Sequence, residues 1–477
     1  MTQEAKYIVA LDIGTSGCRA AAITPNGRVE AQCALPLEPV RPAEGLSEYK
    51  ADELLQTQLN VLHAVLDQVG PHTVRGIVVA SQRSTVVLWD KATGQAVAPI
   101  LTWEDGRAAA LSRQVSLDQQ TVHAQTGLYN TPYFSAPKIA WCIKQSPAAY
   151  AALEKGALAA GPVASYLIWH LTNGGTFATD PTLSQRMLLM DIHTRAWSQD
   201  LCKAFEIPEN ILPAIYPSIA NYGAYTYQEV NIPIVGCMGD QQAAAGAFPF
   251  LKNQSRINYG TGAFWFYNVG EVPAFLPGLL TSIAADGTYF LEGPVNSAAS
   301  ALLWLNAQGI EFAPEDTDAW CQKSKNPVCF LPALGGLGAP YWNFSVSPVA
   351  EGFSPLTRKE DWIAGTVRGI AFLIADIAQY AGAHGYVSKG PVYVSGGLSH
   401  ISYLTQFQAD LLQQPLHVCE ESDATILGAA RLAFIRQGAD VKKREAEKCL
   451  VVSPQLGAEQ ACSLYEKWQQ FVKRYVK

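Results

Sequence analysis

At 477 residues the chain exceeds what one compact core supports, so a single small domain is excluded and two or more are expected. With 49% hydrophobic and 16% charged residues it is excluded from the disordered class, and its composition is that of a globular enzyme. A formal charge of −7 disfavours nucleic acid or an anionic membrane surface as the main partner.

Ten cysteines stand singly with no C-x-x-C pair, and eight histidines form no H-x-x-x-H. The expectation is reduced, buried thiols in a cytoplasmic protein, with neither a disulfide framework nor a metal cluster. Met1 to Lys6 is polar and lacks the apolar stretch of a signal peptide. Gly369 to Val387 comes nearest to a membrane span, but Asp376 and His384 interrupt it.

In chain order, Tyr7 to Asp12 reads as an apolar strand ending in an acid. Gly14-Thr15-Ser16-Gly17 reads as a tight turn and Cys18 to Thr24 as the returning strand. Pro25-Asn26-Gly27 is a hairpin signal, and Arg28 to Leu35 follows as a third strand. Asp52 to Val69 predicts an amphipathic helix, and Val74 to Ala80 a buried strand that runs into Ser81-Gln82-Arg83-Ser84. Val86 to Trp89 and Ile100 to Trp103 are further strand candidates, whereas Gly127 to Tyr225 reads as mainly helical. The β-branched run Ile234 to Met238 predicts a strand that turns at Gly239 and opens into an alanine-rich helix at Asp240-Gln241-Gln242. That strand–turn–helix mouth is where ligands bind in α/β sheets.

The domain junction is expected at about residue 248, with no long polar linker. Beyond it, Arg256 to Tyr259, Gly260-Thr261-Gly262 and Ala263 to Val269 repeat the opening strand–turn–strand. Thr288 to Gly293 reads as a strand, Asn296 to Gln308 and Lys359 to Ala383 as helices, and Val392 to Val394 as a strand ending at Ser395-Gly396-Gly397. Gln406 to Leu412 and Thr425 to Gln437 complete the helices. Glycine-rich turns at strand ends let backbone N–H groups converge on a phosphate. Each alone is equally well a hairpin turn without function. The chain has neither G-x-x-x-x-G-K-[ST] nor G-x-G-x-x-G.

Several blocks, taken in order, resemble those of the FGGY carbohydrate kinases. They are Leu11-Asp12-Ile13-Gly14-Thr15-Ser16, Ser81-Gln82-Arg83, Trp103-Glu104-Asp105-Gly106-Arg107 and Tyr133-Phe134-Ser135 with Lys138. Gly239-Asp240-Gln241-Gln242, Tyr259-Gly260-Thr261-Gly262, Ala339-Pro340-Tyr341-Trp342 and Ser395-Gly396-Gly397 continue the series. The resemblance spans nearly the whole chain and is greatest to the glycerol kinase and xylulokinase branches.

It implies an α/β protein of two ribonuclease-H-like domains of the actin, Hsp70 and sugar kinase superfamily, residues 1–248 and 249–477, with a catalytic cleft between them. It implies transfer of the γ-phosphate of ATP to a hydroxyl of a small sugar or polyol. Asp240 matches the general base, and Asp12 with Asp240 the acids that hold Mg²⁺. Gly14, Thr15, Ser16, Gly260 and Thr261 match phosphate contacts. Gly396 and Gly397 match the adenosine region, where Ile401 replaces a polar base contact. Arg19 could neutralise a phosphate; the alternative is an outward-pointing strand arginine. Arg83, Ser84, Trp103, Tyr133, Asp240 and Gln241 match the acceptor pocket.

Glycerol kinases carry glutamate after Gln-Arg and xylulokinases carry Met-His at that pair, whereas this chain has Arg83-Ser84. The loss of a carboxylate acceptor favours a ketose or polyol somewhat larger than a triol, with glycerol the alternative acceptor. An inactive nucleotide- and sugar-binding sensor is the alternative of another class. Neither nucleic acid nor membrane is an expected partner, and a homodimer is left open.

Overall fold

The structure is a computed structural model that describes residues 5–247, 250–419, 423–439, 441 and 449–476. The junction expected at about residue 248 and the polar start, Met1 to Glu4, fall outside them. The chain forms two compact units. The first takes Met1–Pro249 with Ser282–Thr288 and Asp423–Arg444; the second takes Phe250–Thr281, Tyr289–Ser422 and Glu445–Lys477. A linear division at residue 248 leaves the two returning segments of the first unit on the wrong side. Packing brings one of them back: Ile426, Leu427, Ala429, Ala430, Ala433 and Phe434 of the Ala424–Arg436 helix share a core with Ile8, Ala10, Ala21, Ile23, Val78, Ala80 and Met238.

The sheet of the first unit runs Ala224–Tyr227, Val230–Gly239, Val74–Ser81, Tyr7–Ile13, Gly17–Ile23, Val29–Pro36. Val230–Gly239, Val74–Ser81 and Tyr7–Ile13 are parallel, while Gly17–Ile23 returns antiparallel. The Ala51–Val69 helix packs Leu54, Val61, Leu62, Val65 and Leu66 into the core on this sheet. With helices supplying apolar partners, the central strands need unbroken hydrophobic runs instead of alternation. Ile13 pairs with Ser81 and Ser81 with Gly239, so three parallel strands end at one level.

The second sheet has seven strands, ordered Leu280–Ile283, Tyr289–Val295, Ala263–Gly270, Ser255–Tyr259, Val392–Ser395, Leu416–Cys419, Cys449–Val452, all in the second unit except Ser282 and Ile283 of the edge strand. Ser255–Tyr259 pairs antiparallel with Ala263–Gly270 and parallel with Val392–Ser395, the same local plan as Tyr7–Ile13 in the first sheet. The Lys359–Ala383 helix has the span its pattern predicts, and buries Asp376 at its centre. Asp376 accepts hydrogen bonds from Tyr341 Oη, Tyr465 Oη, Trp468 Nε1 and Gln469 Nε2, so a buried carboxylate ties the Ala458–Val472 helix to this core. Four donors on one carboxylate offset the desolvation of its charge. Arg368 of the same helix donates Nε–H to Tyr403 Oη (2.7 Å) and lies over the Phe407 ring, 4.8 Å from its centroid. A cation stacked on aromatic faces accounts for arginine at this position.

Three readings need correction. Gly127 to Tyr225 takes most of its regular structure as helices, but it also holds strands that the mainly helical reading lacks: Leu158–Pro162, Ala178–Thr179, Met190–Asp191, Ala196–Trp197 and Ala214–Ile215. Short apolar runs do not distinguish the two states, and Leu158–Pro162 is a strand because Val86–Asp90 pairs with it. The Ala458–Val472 helix is additional; Ala461, Leu464, Tyr465, Trp468, Phe471 and Val472 recur at helical spacing, a signal in the sequence that the reading passed over. Cys419 and Cys449 form a disulfide, whereas all ten thiols were expected reduced. They are 30 residues apart and become neighbours only by strand register. The other eight cysteines are free. Among the described residues no helix is long and apolar enough to cross a membrane.

Candidate active site

The common level of the three parallel strands puts Asp12, Gln82-Arg83 and Asp240 along one edge of the first sheet. The Gly14–Gly17 turn closes there through Gly14 N–H donating to the Gly17 carbonyl (2.9 Å). A Cβ on Gly17 would lie 2.9 Å from the Leu35 carbonyl oxygen, so the neighbouring strand leaves room for glycine alone. Ser16 is exposed at the tip. The Thr15 hydroxyl accepts from Trp103 Nε1 (2.9 Å), and Gln82 Nε2 donates to the Gly14 carbonyl (3.1 Å). The Thr85 hydroxyl donates to Gln82 Oε1 and accepts from Trp103 N–H. The turn expected to bind phosphate and the aromatic wall of the expected acceptor pocket are thus one hydrogen-bonded assembly.

Asp240 is the first residue of the Asp240–Ala245 helix, with Gly239 as its N-cap. Its side chain is 24% exposed, and Arg83 Nε stands 3.6 Å from Oδ1. Burial pushes the carboxyl up to about 6; Arg83, the Gln241 N–H and Arg186 oppose this, and the charge of Asp12 adds to it. A carboxylate at a helix N-terminus beside guanidinium groups stays ionised near neutral pH, as a proton acceptor must.

Arg19 does not point outward. Directly opposite Asp12 in the register, it donates to Asp12 Oδ2 (2.6 Å) and to Asp423 Oδ1 (2.8 Å). Burial raises the Asp12 carboxyl and Arg19 lowers it. Among the described residues no group of three or more His, Cys, Asp or Glu side chains could hold a metal. Two carboxylates that repel each other suit a hard cation that brings water and phosphate oxygens as its remaining ligands.

The acceptor residues also come together. Trp103 and Tyr133 are partly exposed, with ring centroids 5.6 Å apart. Arg83 and Ser84 are buried, and Gln241 is partly exposed. Ser84 has φ +65°, left-handed backbone that a non-glycine residue adopts at a cost, and among the described residues no group bonds its buried hydroxyl. Lys138 holds this geometry: fully buried, it donates from Nζ to the carbonyls of Ser84 (3.2 Å) and Tyr133 (2.8 Å). Burial brings the Lys138 ammonium down to about 7.

Lys138→Met is therefore expected to raise the acceptor KM about 10-fold or more, since two carbonyls at the pocket wall lose a partner worth about 1–3 kcal/mol. Steady-state kinetics with the acceptor varied checks this. The depressed ammonium also sets a sign. The unfolded chain binds a proton at Lys138 that the folded chain releases, so wild-type stability rises with pH from about 7 towards 10.5, and the variant lacks this contribution.

In the second unit, Gly260 N–H donates to the Gly262 carbonyl (2.8 Å), closing the Gly260-Thr261-Gly262 turn. The Thr261 carbonyl accepts from Ala298 and Ser300 N–H at the start of the Ala299–Ala307 helix. Gly396 has φ +97°, and a Cβ there would sit 2.4 Å from the Tyr259 carbonyl oxygen; Gly397 is exposed with open space beside it. Ile401 is 8% exposed and belongs to the apolar core, so its side chain is directed away from a polar contact.

Sequence reading missed Asp423, Arg186 and the brace role of Lys138. Asp423 reaches Arg19 only through the returning Ala424–Arg436 helix, 404 residues away in sequence. Arg186 is buried and donates from Nη2 to the Ser282 hydroxyl (2.6 Å). Its signal was a charged residue immediately before the apolar run Met187 to Met190.

The sequence model of the FGGY family of carbohydrate kinases, N-terminal domain, matches residues 7–246, and that of the C-terminal domain matches 256–436. The chain is 33% identical to glycerol kinase of Enterococcus casseliflavus over 489 residues, covering 98% of this chain and 97% of that one. It is 35% identical to glycerol kinase of Halorhodospira halophila, covering 98% and 96%. The crystal structure of Plasmodium falciparum glycerol kinase with ADP superposes with a TM-score of 0.90 at 26% identity, covering 99% and 98% of the two chains. Xylulose kinase of Rhodospirillum rubrum shares the fold, with a TM-score of 0.86 at 21% identity over 98% and 99%. The chain belongs to the FGGY family of carbohydrate kinases, phosphotransferases with an alcohol group as acceptor.

Proposed function

We propose that Asp240 takes the proton of an acceptor hydroxyl as that oxygen attacks the γ-phosphorus of ATP, and that the acceptor is a polyol or ketose. The observation that carries this reading is a partly exposed carboxylate at a helix start, held beside Arg83 on the strand edge that also bears the Gly14–Gly17 turn. Arg83, Trp103, Tyr133 and Gln241 bind the acceptor: the guanidinium and amide hydrogen-bond hydroxyls, and the rings cover a C–H face. Gly14 and Gly260 close their turns through their own N–H groups and so present Thr15, Ser16 and Thr261 to phosphate, while Gly396 and Gly397 border the nucleoside. In this reading the acceptor and base lie on residues 1–248 and the nucleoside on 249–477, with the Gly14–Gly17 turn of the first part also meeting phosphate.

Asp12 and Asp240 would hold Mg²⁺, which neutralises phosphate charge when bound. Arg19, paired with Asp12 and Asp423, positions the Asp12 carboxylate instead of meeting phosphate itself. Localisation in the cytoplasm belongs to this reading as well.

The acceptor is proposed to be larger than a triol, because Ser84 offers no carboxylate to grip paired hydroxyls and occupies less space. Glycerol is the second reading, favoured by relatives 33–35% identical that are glycerol kinases. A coupled ADP-release screen over triols, tetritols, pentitols and ketoses separates the two. A four- or five-carbon acceptor is expected to give the highest kcat/KM. Glycerol as the best acceptor by a wide margin would overturn the weight placed on Ser84, and no turnover with any acceptor would favour a binding protein.

A further inference from the structure

We infer that Thr182, oriented by Asp180, is the residue that positions Asp240 for proton abstraction; this rests on Asp240 being the base. The Pro181–Gln185 helix contributes nothing to the acceptor pocket described above, yet it is tied to the backbone immediately before Asp240. Gly239 N–H donates to Thr182 Oγ1 (2.8 Å), and both groups are buried. An N–H only donates, so the threonine oxygen accepts, and its single hydrogen must go elsewhere. It goes to Asp180, whose carboxylate oxygens lie 3.0 and 2.8 Å from Thr182 Oγ1. Asp180 is fully buried and also accepts from Ser218 Oγ (2.6 Å), Thr182 N–H and Leu183 N–H. The polarity of the chain is therefore fixed: carboxylate, hydroxyl, backbone N–H, then Asp240.

Both ends of this strut are anchored. Ser218, which donates to Asp180, accepts Cys237 N–H at its carbonyl, two residues before Gly239. At the far end Gln185 Nε2 donates to the Thr126 carbonyl, Gln185 Oε1 accepts Ile283 N–H, and Arg186 donates to Ser282. The Arg186 carbonyl accepts Ser135 N–H, at the helix that follows Tyr133. Gly239 itself cannot retreat: a Cβ there would stand 2.6 Å from Gln242 Oε1 and 3.0 Å from Arg83 Cγ, so its backbone is wedged against the stem of the arginine facing Asp240. A residue held by a rigid segment through one hydroxyl is placed to fractions of an ångström, and displacements of about 1 Å cost up to about 100-fold in rate.

The test is steady-state kinetics of Thr182→Val, Thr182→Ala and Thr182→Ser beside Asp240→Asn, each checked for a folded thermal transition. Thr182→Val is expected to lose about 10- to 50-fold in kcat with both KM values within about threefold of wild type. Thr182→Ser, which keeps the hydroxyl, is expected to retain at least about half of kcat. Thr182→Ala serves if the valine variant is not recovered folded; a water bridging Asp180 and Gly239 then limits the loss to about 3- to 10-fold. A folded valine or alanine variant with kcat within about twofold of wild type, or a loss carried by KM, or a serine variant as impaired as valine, overturns the inference. If Asp240→Asn instead retains most of its activity, it is the base assignment that has failed.

Discussion

Asp240→Asn is expected to lower kcat by about 10³-fold or more while leaving the KM values for nucleotide and acceptor within about threefold, the span that positioned general bases contribute. Asparagine has the same shape, keeps an acceptor oxygen for Arg83, and still starts the Asp240–Ala245 helix. Binding is therefore preserved while the proton has no destination. The other carboxylates near the edge are engaged: Asp12 and Asp423 by Arg19, Asp180 by Thr182 and Ser218. The same site sets the pH dependence. With the Asp240 carboxyl pushed up to about 6, the protein loses its proton acceptor as pH falls through that value, so kcat/KM declines on the acid side. The residual activity of the asparagine variant should lack that limb. Coupled ADP release between pH 5 and 8 measures both effects, and a variant with more than about a tenth of wild-type kcat would remove Asp240 from the chemistry.

How much of this was legible in the sequence differs between kinds of contact. The three strand ends were readable because each is an apolar run that stops at a polar or small residue: Asp12 with Gly14, Ser81, and Gly239 with Asp240. The periodic Lys359–Ala383 helix was readable for its length and unbroken pattern. Register was not. Arg19 looked free to meet a phosphate or solvent because nothing in the sequence says that it lies across from Asp12, or that Asp423 comes to its other side. Cys419 and Cys449 failed for the same reason. Lys138 was noticed as part of a block, but its function as a brace depends on two carbonyls, which no side-chain pattern encodes. Local chemistry that sits at the end of a strand is visible in the residue string. Chemistry that depends on backbone polar groups or on a returning segment is supplied by the fold.

Gly428→Ala is expected to destabilise the first unit and to reduce turnover together. Alanine in place of glycine inside a helix normally stabilises by about 0.5–1 kcal/mol. Here the Ala424–Arg436 helix crosses the Asp240–Ala245 helix so closely that a Cβ on Gly428 would stand 1.9 Å from the Ala243 carbonyl oxygen and 2.6 Å from Ala247 N. Both obstacles are backbone, so no side chain can rotate away, and one helix must move by about 1 Å to restore normal contact. Overpacking of this kind costs about 1–3 kcal/mol, which outweighs the propensity gain. The same crossing is close further along: a Cβ on Gly246 would meet Leu432 Cδ1 at 2.7 Å, and Arg431 Nη1 donates to the Gly246 carbonyl (3.1 Å), a bond that parting the helices would break. The helix that gives way therefore carries Asp240 with it or loses its grip on Ile8, Ala10 and Met238. Gly382→Ala is the matched control, since its nearest neighbour is Val387 Cγ2 at 3.9 Å within the Lys359–Ala383 helix, and the same substitution there should raise thermal stability slightly. Thermal unfolding and kcat measured on both variants decide the matter. A Gly428→Ala protein as stable as the Gly382→Ala control would mean that the close crossing is not what holds the Asp240 helix in place.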